Sequence, residues 1–300
     1  MSGLLEPFIA ADGQKPKGIW PPLNSTVRHF LEENTMRTGI SAAVALLLAY
    51  SAILMAQSSV YLPPPASARV LEGINFKSAS PVNESYRAKF DRCDRENIFK
   101  SVRMTGFREC TRDPNRVRAL LRFPDKTIFF ESKLGLDIDG SWKACHDRGP
   151  TDQCPTWFKW GGLPVPDRYV DSDKFPYVVI PISDLRGRDD PEFRDKTGIN
   201  QGDLGVVVYK DKLVPVFVAD GGPHNKLGEG SASLFKALGE DRCSKWRSDG
   251  HCERYRDFSI ERGVLFFLFP NSQIEGLNPG NALEKIRNEA LARFEGLKRR

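Results

Sequence analysis

Hydrophobic and polar positions alternate over much of the chain after residue 120, with one uncharged stretch near its beginning. Short runs of β-branched and aromatic residues recur there between glycine, proline and charged turns, as is typical of buried strands. The clearest runs are residues 127–131, 134–139, 177–181, 205–209, 213–219 and 264–269. With few helical patterns between them, they predict a mainly β fold: a barrel of six or more strands with minor helices.

The end of the chain follows a helical period instead. After Asn281, a possible N-cap, apolar side chains recur on one stripe of a helix. The stripe consists of Leu283, Ile286, Ala290, Phe294 and Leu297. This pattern predicts a C-terminal helix that docks on the barrel.

The uncharged stretch, residues 39–57, is close to the ~20 residues that a helix needs to cross a bilayer. It begins too far into the chain, and is too long, for an ordinary signal peptide. We therefore expect an uncleaved signal anchor over residues 38–60, preceded by a disordered cytoplasmic tail over residues 1–37. A buried core helix and cleavage after the segment are the alternatives.

Beyond the expected anchor the composition changes twice. Residues 61–85 contain the run Pro63-Pro64-Pro65 and are predicted to form a stiff linker. Residues 86–300 are predicted to form the extracytoplasmic domain. We thus expect a membrane-anchored protein whose domain lies in the periplasm or the extracellular space.

All six cysteines follow the apolar stretch. Six cysteines allow 15 pairings, but these fall into three local pairs: Cys93–Cys110, Cys145–Cys154 and Cys243–Cys252. An even number on one side of a membrane segment predicts disulfides in an oxidising compartment. Zinc binding is the alternative, which the lack of a CxxC pair and the four scattered histidines disfavour, so we expect no metal and no cofactor.

Charge excludes one class of partner. The net charge of +5 is mild, and acidic and basic residues are interspersed. No block of lysine and arginine is interleaved with aromatic residues, so we expect no nucleic-acid binding.

Two carboxylates bracket a glycine-rich segment that begins at Asp220 and reaches Glu229. The segment follows the apolar run 213–219 and precedes a short helical pattern over residues 232–239. We expect both side chains on a loop between a strand and a helix, where catalytic groups often lie. A carboxylate pair is the minimum for glycoside hydrolysis. A turn-capping aspartate and a glutamate that favours a helix dipole are the structural alternatives.

A second acidic pair, Asp137 and Asp139, alternates with Ile138, so both carboxylates are expected on one face of a strand. Adjacent like charges raise each other's pKa unless a cation lies between them. The pair therefore suits a cationic ligand or a calcium ion, although Asp139 before Gly140 also fits a turn cap.

Several segments occur in a distinctive order: 136–140, 176–181, 202–209, 217–220, 226–231 and 269–272. In this order, over about half the chain, they resemble the fungal-type chitosanases of glycoside hydrolase family 75. The most specific block runs from Asp220 to Gly228-Glu229-Gly230-Ser231.

This resemblance implies an endo-acting, inverting hydrolase of β-1,4-linked glucosamine polymers, either chitosan or a related amino-sugar glycan. The catalytic pair would be Asp220 and Glu229, with Glu229 expected as the acid and Asp220 as the base. Asp137 and Asp139 would bind substrate ammonium groups. Further candidate substrate-binding residues in the shared segments are Asp203, Lys226 and Ser231.

Two further expectations accompany the resemblance. Analogy with inverting endoglucanases suggests a double-psi type of barrel. A non-catalytic protein that binds cell-envelope glycan on the same fold is the alternative function.

Overall fold

Twelve strands dominate the part of the chain that the computed structural model describes, which is residues 61–87, 90, 98–99, 102–103, 117–147, 152–184, 187–223 and 226–299. The strands are β1 (Ser80–Pro81), β2 (Ile98–Phe99), β3 (Val102–Arg103), β4 (Ala119–Arg122), β5 (Ile128–Asp137), β6 (Tyr177–Ser183), β7 (Leu204–Tyr209), β8 (Lys212–Pro223), β9 (Glu229–Ser231), β10 (Cys243–Trp246), β11 (Cys252–Tyr255) and β12 (Ser259–Phe269).

Six of these strands close into a barrel in the order β5-β12-β7-β8-β6-β9, because β9 also pairs with β5. The pairs β5–β9 and β6–β8 are parallel, and the other pairs of the ring are antiparallel. Strand β4 adds to the first half of β5, and β1 adds to β4. The predicted mainly β fold with a six-stranded barrel is confirmed.

Alternating apolar residues give the barrel strands two hydrophobic faces. In β12, Leu265 and Phe267 belong to one core, whereas Val264 and Phe266 belong to the other. The long uninterrupted apolar runs seen in the sequence reflect burial on both faces.

Among the described residues, five short or medium helices surround the barrel: α1 (Glu84–Arg87), α2 (Trp142–His146), α3 (Glu192–Thr197), α4 (Ala232–Ala237) and α5 (Ala282–Lys298). Helix α5 packs against β7 and β8 through Ile286, Ala290, Phe294 and Leu297. The docked C-terminal helix is therefore present. Leu283 does not belong to the buried stripe, since it is 53% exposed and Ala282 is buried in its place.

The segment predicted as a linker contributes to the core. Residues 65–67 and 76–78 form short 3₁₀ helices, and Leu71 and Phe76 are buried. The ring of Phe76 lies 5.1 Å from that of Phe129, centroid to centroid. Aromatic burial of this kind outweighs the local stiffness of the proline run, so the segment belongs with the barrel.

Two of the predicted disulfides are formed: Cys145–Cys154, which begins within α2, and Cys243–Cys252, which joins β10 and β11. They confirm these local pairs and fit a domain in an oxidising compartment. The third predicted pair, Cys93–Cys110, lies outside the described residues.

Among the residues that the structure describes, no helix is both long and apolar enough to span a bilayer. The predicted anchor, residues 38–60, and the predicted tail, residues 1–37, lie outside those residues.

Candidate active site

A register shift in strand β8 determines where Asp220 points. Val218 pairs with Val178 of β6, but the next paired residue of β6, Val179, lies opposite Asp220 rather than Ala219. The extra residue is a β-bulge, a feature that re-aims side chains. As a result, Asp220 shares a face of the sheet with Val179.

Glu229 reaches the same face from the other side of β6. As the first residue of β9, it pairs with Val179 of β6 and with Gly135 of β5. Asp220, Val179 and Glu229 thus form one row across three adjacent strands. Both carboxylates were expected on a loop, but β8 continues through Pro223 and β9 begins at Glu229 because the chain must pair here to close the barrel.

The path between the two carboxylates requires a glycine at one point. Gly228 has a φ of +88°, and a Cβ there would lie 2.1 Å from Ser132 Oγ and 2.3 Å from the Lys133 carbonyl oxygen. The Gly228 carbonyl accepts a hydrogen bond from the amide of Gly135. This close contact with β5 fixes Glu229 in register.

Two more glycines leave room for the Glu229 side chain. A Cβ at Gly135 of β5 would lie 3.4 Å from Glu229 Cγ, and a Cβ at Gly222 of β8 would lie 3.2 Å from Glu229 Oε2. The Glu229 carboxylate therefore extends over β6 toward the strand that carries Asp220. It is 8% exposed, and Lys226, 5% exposed, forms an ion pair with its Oε1.

Asp220 is 4% exposed. Its Oδ1 accepts hydrogen bonds from the amides of Gly221 (2.7 Å) and Trp157 (3.0 Å). Its Oδ2 is buried and receives no bond from an N–H or hydroxyl group of the described residues, so a protonated Asp139 is the group placed to supply one. Burial raises the pKa of Asp220 to about 7, although the hydrogen bonds oppose this and the Glu229 charge adds to it.

Asp137 and Asp139 join the same cluster. Asp137 ends β5, and its Oδ1 accepts the amide of Asp139 at 2.9 Å, while Asp139 Oδ1 accepts the amide of Gln153 at 2.7 Å. Burial raises the pKa of both groups well above the usual range. The charges of Asp220 and Glu229 add to this for Asp137, and those of Asp137 and Asp220 add to it for Asp139.

Tyr177, which the sequence suggested only as part of an apolar strand, closes one side of the cluster. Its hydroxyl donates to the Asp139 carbonyl at 2.9 Å. Burial, followed by the charges of Asp137, Asp220 and Asp139, raises the pKa of Tyr177 well above its usual value. Four carboxyl groups and a neutral phenol therefore lie together at this site, and Lys226 forms an ion pair with one of the four, Glu229.

The other two candidate substrate-binding residues hold structural positions. Ser231 Oγ accepts a hydrogen bond from the amide of Leu234, which caps α4, and another from the amide of Tyr177.

Asp203 is fully buried just before β7, where its oxygens accept hydrogen bonds from the amides of Asn200 and Ser272. Burial raises the pKa of Asp203 to about 6.

A second group of possible metal ligands lies near the Cys243–Cys252 disulfide. Three possible ligand atoms lie within 4.8 Å of one another, one each from Asp171, Asp173 and His251. The same holds for one atom each from Asp137, Asp139 and Asp152 in the carboxylate cluster. The group that contains His251 was not predicted from the sequence, because His251 is about 80 residues from the two aspartates and no spacing motif links them.

Comparison with known proteins does not assign the chain to a family. No protein-family model matches the chain, and no curated protein matches its sequence. The geometry of the site therefore carries the functional argument.

Proposed function

We propose that this protein is an endo-acting, inverting glycoside hydrolase of β-1,4-linked glucosamine polymers, chitosan or a related amino-sugar glycan. The observation that carries the proposal is the row in which Val179 separates Asp220 from Glu229. Two carboxyl groups that act on opposite sides of a glycosidic bond are what this reaction requires.

The strands that carry the pair leave room for inversion. Strand β6 separates the strands of Asp220 and Glu229, which places their backbones about 9–10 Å from each other at ordinary strand spacing. The Glu229 side chain extends over β6 toward β8, so the two carboxyl groups are closer to each other than the backbones are. Inverting enzymes keep the carboxyl groups roughly 6.5–9.5 Å apart so that a water molecule fits between one of them and the sugar. Retaining enzymes need a shorter separation.

The surroundings of the two groups support distinct roles. A pKa of about 7 keeps a substantial fraction of Asp220 protonated near neutral pH, as a general acid must be. Glu229, ion-paired with Lys226, is suited to act as the charged base that activates water. This assignment reverses the one expected from the sequence.

Asp137 and Asp139 support a cationic substrate. Each carboxyl group has a raised pKa because it is buried among other acids. An ammonium group of glucosamine next to them would favour their charged forms and offset that repulsion. A glycan without free amino groups would lack this interaction.

Finer features of fold and location belong to the same proposal. Six strands with two parallel pairs, β5–β9 and β6–β8, support a double-psi type of barrel. The two disulfides and the apolar stretch at residues 38–60 support a domain held outside the cytoplasm by a membrane anchor.

One observation favours a second candidate function, a non-catalytic glycan-binding protein. Asp220 and Glu229 are both buried, and Lys226 occupies one oxygen of Glu229. A collapsed pair of this kind would not reach a glycosidic oxygen unless substrate binding opened it.

The release of reducing ends tests the proposal. The full-length chain, purified in detergent with its disulfides intact, is incubated with chitosan, with chitin and with peptidoglycan. We expect reducing ends from chitosan or another amino-sugar polymer, and their loss in Glu229→Gln. Glu253→Gln, which removes an exposed carboxylate on β11, is the matched control and should retain wild-type activity.

The possible outcomes separate the two candidates. Hydrolysis that persists in Glu229→Gln would contradict the assignment of the pair. Saturable chitosan binding without hydrolysis would contradict the enzyme proposal and support the binding protein. Circular dichroism of each variant shows whether a loss reflects unfolding.

A further inference from the structure

We infer that Asp171, Asp173 and His251 form a site for a divalent metal ion of the zinc class, separate from the carboxylate pair. His251 Nδ1 lies 3.8 Å from Asp171 Oδ2 and 4.0 Å from Asp173 Oδ2. These distances are too long for hydrogen bonds. In a tetrahedral zinc site with ligands about 2.0–2.2 Å from the ion, neighbouring ligand atoms lie roughly 3.4 Å apart, so a small inward movement suffices.

The histidine nitrogen gives an independent indication of a ligand. His251 Nδ1 is buried, in a side chain that is 20% exposed, and has no hydrogen-bond partner within the described ranges. Buried polar atoms normally have a partner, and those that lack one call for an explanation such as an ion. This nitrogen faces two carboxylate oxygens, so a cation between the three atoms would satisfy it.

The aspartates are already held as metal ligands usually are. Asp173 Oδ1 accepts the Tyr255 hydroxyl at 2.7 Å, and its Oδ2 accepts the amide of Cys252. Asp171 Oδ1 accepts the amide of Asp173 at 2.9 Å, and its Oδ2 lies 3.0 Å from Lys174 Nζ and 3.8 Å from His251 Nδ1. Such outer hydrogen bonds orient carboxylate ligands and tune metal affinity.

The donor set indicates which ion fits. One imidazole nitrogen and two carboxylate oxygens suit zinc better than calcium, which prefers oxygen ligands alone. Three protein ligands leave a fourth position for water. Lys174 pairs with Asp171 Oδ2 at 3.0 Å through an exposed side chain, so an arriving ion can displace it at little cost.

The site would join two parts of the molecule. His251 adjoins the disulfide of the β10–β11 hairpin, whereas Ser172, between the two aspartates, donates to the Asp137 carbonyl and accepts the amide of Ala232. A bound ion would fasten the hairpin to the turn that supports Asp137. We therefore expect a stabilising metal whose loss loosens the hairpin.

Calorimetric titration with zinc chloride tests this site. The untagged full-length chain is freed of metal with EDTA and exchanged into chelator-free buffer. We expect binding of about one zinc per chain, an affinity at least about tenfold weaker in Asp171→Asn and in His251→Gln, and a zinc-dependent rise in Tm in wild type that these two variants lack.

A matched variant controls for adventitious binding to histidine. His146→Gln removes a histidine on α2 whose Nδ1 contacts a backbone carbonyl, and it should bind zinc as wild type does. Absence of saturable binding to wild type, or equal affinity in all variants, would overturn the site. Cobalt substitution gives a second readout, since visible absorption bands should appear in wild type and in His146→Gln and be lost in His251→Gln.

Discussion

Strand β5 carries two carboxylates, Glu131 in its first half and Asp137 at its end, and the two have opposite surroundings. Glu131 is 1% exposed, and its oxygens accept the Tyr61 hydroxyl and form an ion pair of 2.7 Å with Arg118. Asp137, six residues further along, lies among acids: burial, and then the charges of Asp220 and Glu229, raise its pKa. The same strand therefore carries Glu131, whose charge is balanced by Arg118, and Asp137, which lies next to other carboxyl groups.

This difference separates a structural carboxylate from a functional candidate. A buried charge that has its partners needs no further explanation. Clustered acids raise one another's pKa at a cost to stability, a pattern that concentrates at functional sites. We therefore expect variants of Glu131 and variants of the acids around Asp137 to affect different properties.

The largest expected effect is on catalysis. Glu229→Gln and Asp220→Asn each remove a group proposed to transfer a proton, so we expect chitosan hydrolysis to fall by roughly 10²–10⁴-fold. Glu131→Gln should retain near wild-type activity at temperatures where it is folded. Initial rates of reducing-end release measure all three. An equal loss in Glu131→Gln would contradict the separation of a structural carboxylate from the catalytic candidates.

The next largest expected effect is on the pH dependence of the free energy of unfolding. The folded-state pKa of Asp220 is raised from 3.8 to about 7, so the folded protein binds more protons than the unfolded chain between those values. This contribution to stability is full below about pH 4 and is lost as the pH rises to about 7, with a slope of up to about 1.4 kcal/mol per pH unit for one proton.

Urea unfolding at several pH values between 4 and 7 measures this slope. Asp137 and Asp139 contribute with the same sign, since burial raises the pKa of each. We expect a shallower slope in Asp220→Asn than in wild type. An identical slope would mean that the Asp220 carboxyl does not hold its proton in this range.

Not all of this arrangement follows from the sequence. Apolar runs predicted the barrel strands, and nearby cysteines predicted two of the disulfides, because both signals are local. Strand β9 has only three residues, and the bulge in β8 depends on pairing with a distant strand, so neither produces a pattern. The meeting of His251 with Asp171 likewise requires the fold.

A moderate effect on the free energy of unfolding is expected from a change at Glu131. Glu131→Gln would leave the Arg118 charge and the Tyr61 hydroxyl less well paired, at a cost of about 1–3 kcal/mol in the free energy of unfolding. Asp139→Asn keeps an oxygen for the Gln153 amide and offers an N–H group in place of the acid proton, so we expect no loss at pH 7. Urea unfolding compares the two, and a larger loss in Asp139→Asn would reverse the interpretation.

The smallest expected effect comes from a small displacement of the Glu229 carboxylate. In Gly222→Ala, the new Cβ would lie 3.2 Å from Glu229 Oε2 and 3.3 Å from Val179 Cγ1, so Glu229 must shift by a few tenths of an ångström. We expect about a tenfold loss in kcat with little change in Tm. Gly161→Ala is the matched control, since its Cβ would meet nothing within 4 Å. Equal activity in both variants would mean that the position of Glu229 does not limit the rate.

The most direct test of the proposed pair is the anomeric form of the first product. Proton NMR during the first minutes of chitosan hydrolysis by the full-length chain distinguishes the α and β anomers before they interconvert. Two carboxyl groups on strands separated by β6 predict the α anomer, the product of inversion at a β-linkage. Initial release of the β anomer would contradict the account.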